Sequence, residues 1–398
     1  MTDHLDVDSM TRFTLDLVRI RSVHDPEKGS TEAEAAALVA ARMRQFGWSP
    51  TVTEPAPGRP NVVAVIDGGG GPGPTLAFEG HTDVVTEGDR SAWTRDPYAA
   101  EVIDGRLYGR GSADMKSGLA AMLYAVRALE LAGPFPGRIV VAALADEEGL
   151  MLGAKHFTGT DVARSVDAAI ICEPEAGEVC IAAKGAIRLR VDFTGAMAHG
   201  AMPQHGRNPV AAVGSFLQRI AELQAGYLDE VGTHPYLGDV YLTPTVMDAG
   251  DLDQINVIPS SAVVAVDVRT TPAVAHDLLI TAVAEAAEAS GKPLGVSTTV
   301  TVVDDRPAVE VAANEPVVQA VVAAHTEIHG TAPTYGGVPG ATDGTILTRD
   351  LGIPTVVYGP GGKWIAHQAD EYVELADVEA HARVYLAAAR RYLTSTPK

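Results

Sequence analysis

Two residues at the end of a short apolar run are of types and spacing that could do chemistry together. In Thr75-Leu-Ala-Phe-Glu-Gly-His-Thr-Asp83, residues 75–78 read as a buried strand that stops at Gly80. His81 and Asp83 follow two residues apart, which in extended backbone puts both side chains on one face. A carboxylate beside an imidazole holds it in one tautomer and raises its basicity as a metal ligand. A surface histidine and aspartate in a loop is the plain alternative, and the pair alone does not decide between them. More acidic and imidazole sites recur downstream in the same local setting.

Asp114 closes the segment Leu107-Tyr-Gly-Arg-Gly-Ser-Ala-Asp114 and stands just before a helical run, 115–131. Capping of that helix would also account for it. Residues 138–144 form a near-continuous apolar strand that opens directly into Asp146-Glu147-Glu148-Gly149. Three adjacent acids repel one another, so they require cations nearby or open water. A second buried strand, 168–172, runs into Glu173-Pro174-Glu175. A third, 355–358, leads through Gly359-Pro-Gly-Gly362 to His367. In an open α/β sheet, ligands gather outside the carboxyl ends of the strands. Two imidazoles and three carboxylates suit a pair of divalent ions with one carboxylate bridging, a donor set typical of zinc, cobalt or manganese hydrolases. One further carboxylate is then free to act as a general base.

The elements that must position these residues follow from the rest of the chain. Its 398 residues suggest two or three domains, and 46% hydrophobic with 20% charged residues is ordinary for a globular core. The net charge of -21, from 51 acidic against 30 basic residues, argues against nucleic acid and anionic membrane as partners. Two cysteines, Cys172 and Cys180, are too few for a disulfide framework. The start shows no apolar signal segment, no run approaches the ~18 apolar residues of a membrane span, and the last few residues look loose. A cytoplasmic protein is the expectation.

Residues 9–22 carry Phe13, Leu17 and Ile20 at helical spacing. Thr31 and Glu34 fit a capping box for a second helix, which Gly47 ends. A strand over 61–66 and a glycine-rich stretch over 68–74 come next; the latter lacks a phosphate-loop lysine and reads as a hairpin connection. From Ala186 the pattern changes to alternation, with Ile187, Leu189, Val191 and Phe193 against Arg188, Arg190 and Asp192, the period of a strand buried on one face. Helices near 208–224 and 272–290 and strands near 240–247, 262–269 and 295–303 complete the order β-α-β-β-α-β. That order predicts a compact antiparallel, ferredoxin-like α+β domain over 186–305. It is inserted into an α/β catalytic domain of 1–185 and 306–398, whose buried-strand style returns past Arg306.

At this point the chain resembles the di-zinc aminoacylase and glutamate-carboxypeptidase superfamily, which includes acetylornithine deacetylase and succinyl-diaminopimelate desuccinylase. The carriers are Gly80-His-Thr-Asp83, Gly109-Arg-Gly-Ser-Ala-Asp114-Met-Lys, Asp146-Glu-Glu-Gly149, Cys172-Glu-Pro174, Asn256-Val-Ile-Pro259, Asp267-Val-Arg269, Gly340-Ala-Thr-Asp343-Gly and His367-Gln-Ala-Asp-Glu-Tyr372. The resemblance implies two zinc ions (or cobalt or manganese), one on His81 and Glu173, the other on Glu148 and His367, with Asp114 bridging. It implies Glu147 as base and proton shuttle, and Asp83 as the residue orienting His81. His199, in Gly195-Ala-Met-Ala-His199, would polarise the scissile carbonyl in a neighbouring subunit's site, so the inserted domain would serve as lid and dimerisation domain of a homodimer. Asn256, Arg269, Arg306 and Gly340 would bind substrate, the arginines its carboxylate. A surface loop for His199, a turn cap for Asn256 and an Asp partner for Arg269 are the plain alternatives.

The chain is thus expected to be a metal-dependent amidohydrolase acting on an N-acyl amino acid or short peptide. Glu rather than Asp at position 173 resembles the deacylase and carboxypeptidase members of the superfamily. Arg306 leans toward the carboxypeptidases or dipeptidases, and Gly359-Pro-Gly-Gly with the His367 motif leans toward the deacylases. A homologue that binds metal or ligand without turnover is the reading from another class, and it would have no need of Glu147.

Overall fold

The computed structural model describes residues 4–395. The absent signal segment and the loose terminus were expectations that bear in part on residues 1–3 and 396–398, which lie outside the described residues. Two helices, α1 (Val7–Arg19) and α2 (Ala33–Gln45), precede three strands, β1 (Thr51–Ala56), β2 (Arg59–Asp67) and β3 (Thr75–His81). Then come α3 (Ser117–Leu131), β4 (Arg138–Leu144), β5 (Ala168–Ile171) and β6 (Val179–Ala183). The next stretch holds β7 (Gly185–Thr194), α4 (Pro209–Val231), β8 (Tyr241–Ala249), β9 (Ser261–Thr270), α5 (His276–Gly291) and β10 (Ser297–Arg306). The chain continues with α6 (Pro316–His329), β11 (Thr355–Val357) and α7 (Leu375–Thr394).

The chain divides into two compact units. The first comprises Met1–Ile181, Val311–Gly337 and Thr342–Lys398; the second comprises Ala182–Glu310 and Val338–Ala341. The first is built on a mixed sheet in which the strands run β1-β2-β4-β3-β5-β11-β6. Within it, β3 is parallel to both β4 and β5, and β11 is parallel to β5, while β2 is antiparallel to β4. Every residue of β3 is buried, including Glu79 and His81 beyond the apolar run of residues 75–78. α3 is rich in Ala and Leu, strong helix formers, and nearly all of it is buried. It packs beside α7, and Phe78 of β3 meets Tyr385 of α7 at a ring separation of 5.5 Å. Gly118 lets the start of α3 approach the end of β5, since a Cβ there would stand 2.0 Å from the Cys172 carbonyl oxygen.

The second unit is a four-stranded antiparallel sheet of order β8-β9-β7-β10 with α4 and α5 against it. Ile187, Leu189, Val191 and Phe193 pack with Phe216, Ile220, Leu279 and Val283, so the apolar phase of β7 faces the helices. The strand order and the two helices give the ferredoxin-like arrangement that the sequence order predicts.

Three local expectations differ from the structure. The glycine-rich stretch 68–74 is not a hairpin, because β4 lies between β2 and β3. Its backbone pairs instead with the approach to β4: Gly68 N–H donates to Gly137 O and Gly70 N–H to Phe135 O, at 3.0 and 2.9 Å. A Cβ on Gly68 would fall 2.1 Å from the Phe135 carbonyl, which is why glycine stands there. The capping box before α2 does not form either. Thr31 Oγ1 accepts from Ala33 N–H at 3.3 Å, and Glu32 occupies the cap position, with its carboxylate 3.5 Å from Arg59. Finally, Asp114 is not the cap of α3, which starts at Ser117. Asp114 and Met115 leave helical dihedrals, at φ/ψ of -117/99 and -132/33, and the Asp114 carboxylate is turned elsewhere.

Candidate metal centre

Because β3, β4, β5 and β11 run in one direction, their carboxyl ends open on one side of the first unit's sheet. His81 is the last residue of β3, and Glu147 and Glu148 follow β4 by three and four residues. Glu173 follows β5 by two, and His367 lies on the loop that leaves β11. Asp114 comes from the irregular turn before α3.

The turn and the four strand ends converge. His81 Nε2 stands 3.1 Å from Asp114 Oδ1 and 3.2 Å from Glu173 Oε1. His367 Nε2 stands 2.8 Å from Glu148 Oε1 and 3.2 Å from Asp114 Oδ2. Asp114 therefore offers one oxygen to each imidazole. Donor atoms of His81, Asp114 and Glu173 all lie within 4.8 Å of one another, as do those of Asp114, Glu148 and His367. Nitrogen and carboxylate donors in two sets that share one carboxylate fit two borderline divalent cations.

Asp83 does more than flank an imidazole. His81 Nδ1 lies 3.0 Å from the Asp83 carbonyl oxygen and 3.4 Å from its Oδ1, so a proton on Nδ1 leaves Nε2 free to ligate. The Asp83 carboxylate accepts the N–H groups of Glu147 and Glu148 at 3.2 and 3.1 Å, which fixes the acidic turn after β4. That turn has a further prop. Asp146, left-handed at φ 67, accepts from Leu150 N–H and Leu152 N–H and pairs with the Arg59 guanidinium. Asn61 bonds the backbone of Ala145 and Gly153 at 3.1 and 2.9 Å. Sequence reasoning missed Arg59 and Asn61 as supports, since nothing in their neighbourhood marks them. His367 is also left-handed, at φ 65, and such backbone in a non-glycine residue costs roughly 1–3 kcal/mol and clusters at functional sites.

Electrostatics at the cluster follow from burial and crowding. Burial pushes Glu147 well above the usual carboxylate range, with Glu173 and Glu148 adding to it. Burial and then the Asp114 charge push Glu173 up to about 8, and the same two causes raise Glu148. Burial opposes a charge on His81, yet Glu173, Asp114 and Asp83 together raise it well above an ordinary imidazole. Asp114 and then Glu148 hold His367 protonated, up to about 10. Asp114 is kept ionised against its burial by the two imidazoliums. Two imidazoles favoured in their charged form thus face the crowded carboxylates.

The remaining expected site residues lie on the second unit. His199 is exposed, pairs with Val257 in a short antiparallel ladder, and accepts the Ala201 N–H on Nδ1 at 3.0 Å. Asn256 adjoins it through its carbonyl, which accepts from Gly200 N–H at 2.7 Å. Arg269 and Arg306 stand on the strands flanking β7, both opposite Ala186. Arg269 pairs with Asp267 at 2.8 Å, and the buried Arg306 with Asp304 at 2.7 Å. Gly340 lies near Arg269, whose Nη1 is 4.0 Å from where its Cβ would be. A third donor group, Glu175, Glu178 and Cys180, already holds a cation: Lys363 Nζ sits 3.1 Å from Glu175 and 2.6 Å from Glu178.

Comparison with known proteins places this geometry in context. The profile of peptidase family M20/M25/M40 matches residues 77–391. A succinyl-diaminopimelate desuccinylase of Cereibacter sphaeroides is 31% identical over 390 residues, covering 96% of this chain and 98% of the relative. The enzyme of that name from Caulobacter vibrioides is 33% identical over 335 residues, 81% of this chain and 82% of its own. Among solved structures, an M20 family metallo-carboxypeptidase from Sulfolobus solfataricus superposes with a TM-score of 0.81 at 18% identity, over 98% of this chain and 100% of the other. A dinuclear metal-binding peptidase of the M20 family from Bacillus subtilis gives 0.74 at 16%, over 98% of this chain and 99% of the other.

Imidazoles that ligate must first lose their protons. Zinc added to chelator-stripped protein at pH 7 in weak buffer is therefore expected to release protons and to bind at two equivalents per chain. Apparent affinity should rise with pH toward about 10, where His367 deprotonates unaided. Calorimetry in buffers of different ionisation enthalpy reads the proton count; binding without proton release would contradict this charge assignment.

Proposed function

The chain belongs to peptidase family M20/M25/M40, and from that premise we propose that it is a dinuclear metal amidohydrolase that cleaves the amide of an N-acyl amino acid bearing a free carboxylate. The observation that carries the reading is Asp114 shared between two imidazole–carboxylate sets, with the buried Glu147 beside them. The desuccinylase names of the relatives support the deacylase reading. A carboxypeptidase or dipeptidase activity is the second reading, favoured by Arg306 at the level of Arg269 on the second unit's sheet.

His81 and Glu173 would hold one ion and Glu148 and His367 the other, with Asp114 between them. Divalent cations there, zinc in our assignment with cobalt or manganese as substitutes, would lower the pKa of water and polarise a carbonyl. Glu147 accepts the proton of the attacking water and returns it to the leaving amine. Burial raises the proton affinity of its carboxylate, which suits a group that must both take and return a proton. Asp83 keeps Glu147 and Glu148 in place through their amides. We assign the oxyanion to His199, acting on the partner chain's site in a homodimer formed through the inserted unit. Arg269 and Arg306, with Asn256 and Gly340, would recognise the substrate's carboxylate. Arg269 and Arg306 stand in register on either side of Ala186, and a guanidinium can grip a carboxylate by two parallel hydrogen bonds. We further place the protein in the cytoplasm. Both cysteines are free, and among the described residues no helix is long and apolar enough to cross a membrane.

Three measurements test this reading. Glu147→Gln should keep both ions by elemental analysis and lose roughly 10²–10⁴-fold in kcat; an emptied site would instead make Glu147 a ligand. An N-acyl amino acid should be turned over far better than its carboxamide, and Arg306→Ala should erase much of that preference. Equal kcat/KM for acid and amide would refute carboxylate recognition. Light scattering should give twice 41.5 kDa, and a monomer would refute the assignment of His199 to a partner's site.

A further inference from the structure

One buried carboxylate joins the loop of His367 to the turn of Asp114. Glu371 follows His367 by four residues and is fully buried. Its Oε1 accepts the N–H groups of both Ala113 and Asp114, at 2.9 and 3.1 Å. Its Oε2 takes the guanidinium of Arg110, and its carbonyl oxygen accepts the Gly109 N–H at 2.9 Å. Arg110 is buried as well, lies over the Trp93 ring at 5.1 Å and donates its backbone N–H to Pro97 O at 2.8 Å. One residue beyond, Tyr372–Glu374 pairs antiparallel with Arg106–Tyr108, so backbone pairing continues the link between the two segments past Glu371.

The consequence for Asp114 is direct. Its carboxylate must present one oxygen to each imidazole, so its backbone has to be fixed in rotation as well as in place. A single N–H contact would leave the peptide free to pivot; two successive amides on one oxygen do not. Asp83 also holds two successive amides, those of Glu147 and Glu148, with one carboxylate oxygen for each. We propose that Glu371 is a positioning residue, which sets Asp114 between the two donor sets by gripping the Ala113 and Asp114 amides and ties that grip to the His367 loop. This rests on the reading of Asp114 as the shared ligand.

Loss of the grip should therefore weaken both ions, whereas loss of a terminal ligand such as His81 should weaken one. In Glu371→Gln the amide oxygen is drawn to the Arg110 charge, which turns the NH₂ toward the two backbone donors and breaks the grip. Removing that charge in the double variant Arg110→Met, Glu371→Gln lets the oxygen return. Calorimetric zinc titration of chelator-stripped protein should show both affinities of Glu371→Gln reduced roughly 10–100-fold. The double variant should recover part of the loss, and kcat should fall with KM little changed. A merely structural role predicts the reverse order, with the double variant the worse. A folded Glu371→Gln that binds both ions as the wild type does overturns the proposal, as does a double variant no better than the single. Amide hydrogen exchange on the metal-free wild type needs no variant to fold: Ala113 and Asp114 should be protected, and rapid exchange of both overturns the proposal. Wild-type binding of two ions by Asp114→Ala would instead overturn the site reading on which the proposal stands.

Discussion

Asp114, Glu147, Glu148 and Glu173 crowd against one another at the end of a buried sheet, and their mutual repulsion is the constraint to which the surrounding structure answers. Each is largely withdrawn from water, and burial is the first cause of the raised proton affinity of three of them. The ion pairs they make run to His81 and His367. Imidazoles give up a proton far more readily than lysine or arginine, so the counter-charge can be exchanged for a metal ion without dismantling the site. A lysine in the same position would lock the cluster as a structural ion pair, as Lys363 does for Glu175 and Glu178.

Like charges held this close need a rigid frame, and the frame is made of backbone amides. β3, β4, β5 and β11 bring their carboxyl ends together because they are parallel neighbours, each buried on both faces. The turns that follow carry the charges, and turns are the least constrained part of a chain. Asp83 steadies one by accepting two consecutive N–H groups, and Glu371 accepts two in another. Left-handed Asp146 and His367 are strained positions that this frame holds in place.

Much of this was legible in the sequence. Apolar runs of four to seven residues marked the parallel strands, and the acids and histidines that follow them marked the candidate ligands. The alternation after Ala186 marked the half-buried sheet of the second unit. What escaped had no local signature. Whether residues 68–74 reverse the chain between neighbours depends on β4, far along the chain at Arg138–Leu144, which inserts between β2 and β3. β1 was missed because its residues are exposed or half-buried, as suits an edge strand. Asp114 read equally well as a helix cap, and its release from that role follows from a turn geometry that residue types do not encode. Glu371 stood inside the quoted motif without a role, because an acid's value as an acceptor for distant amides appears only when the chain is folded.

A carboxylate shared between two cation sites should be visible by anomalous X-ray scattering from zinc-loaded crystals. Two peaks per chain are expected, about 3.5–4 Å apart, on either side of Asp114, with His81 and Glu173 about one and Glu148 and His367 about the other. A single peak, or peaks lodged at Glu175, Glu178 and Cys180, would contradict it.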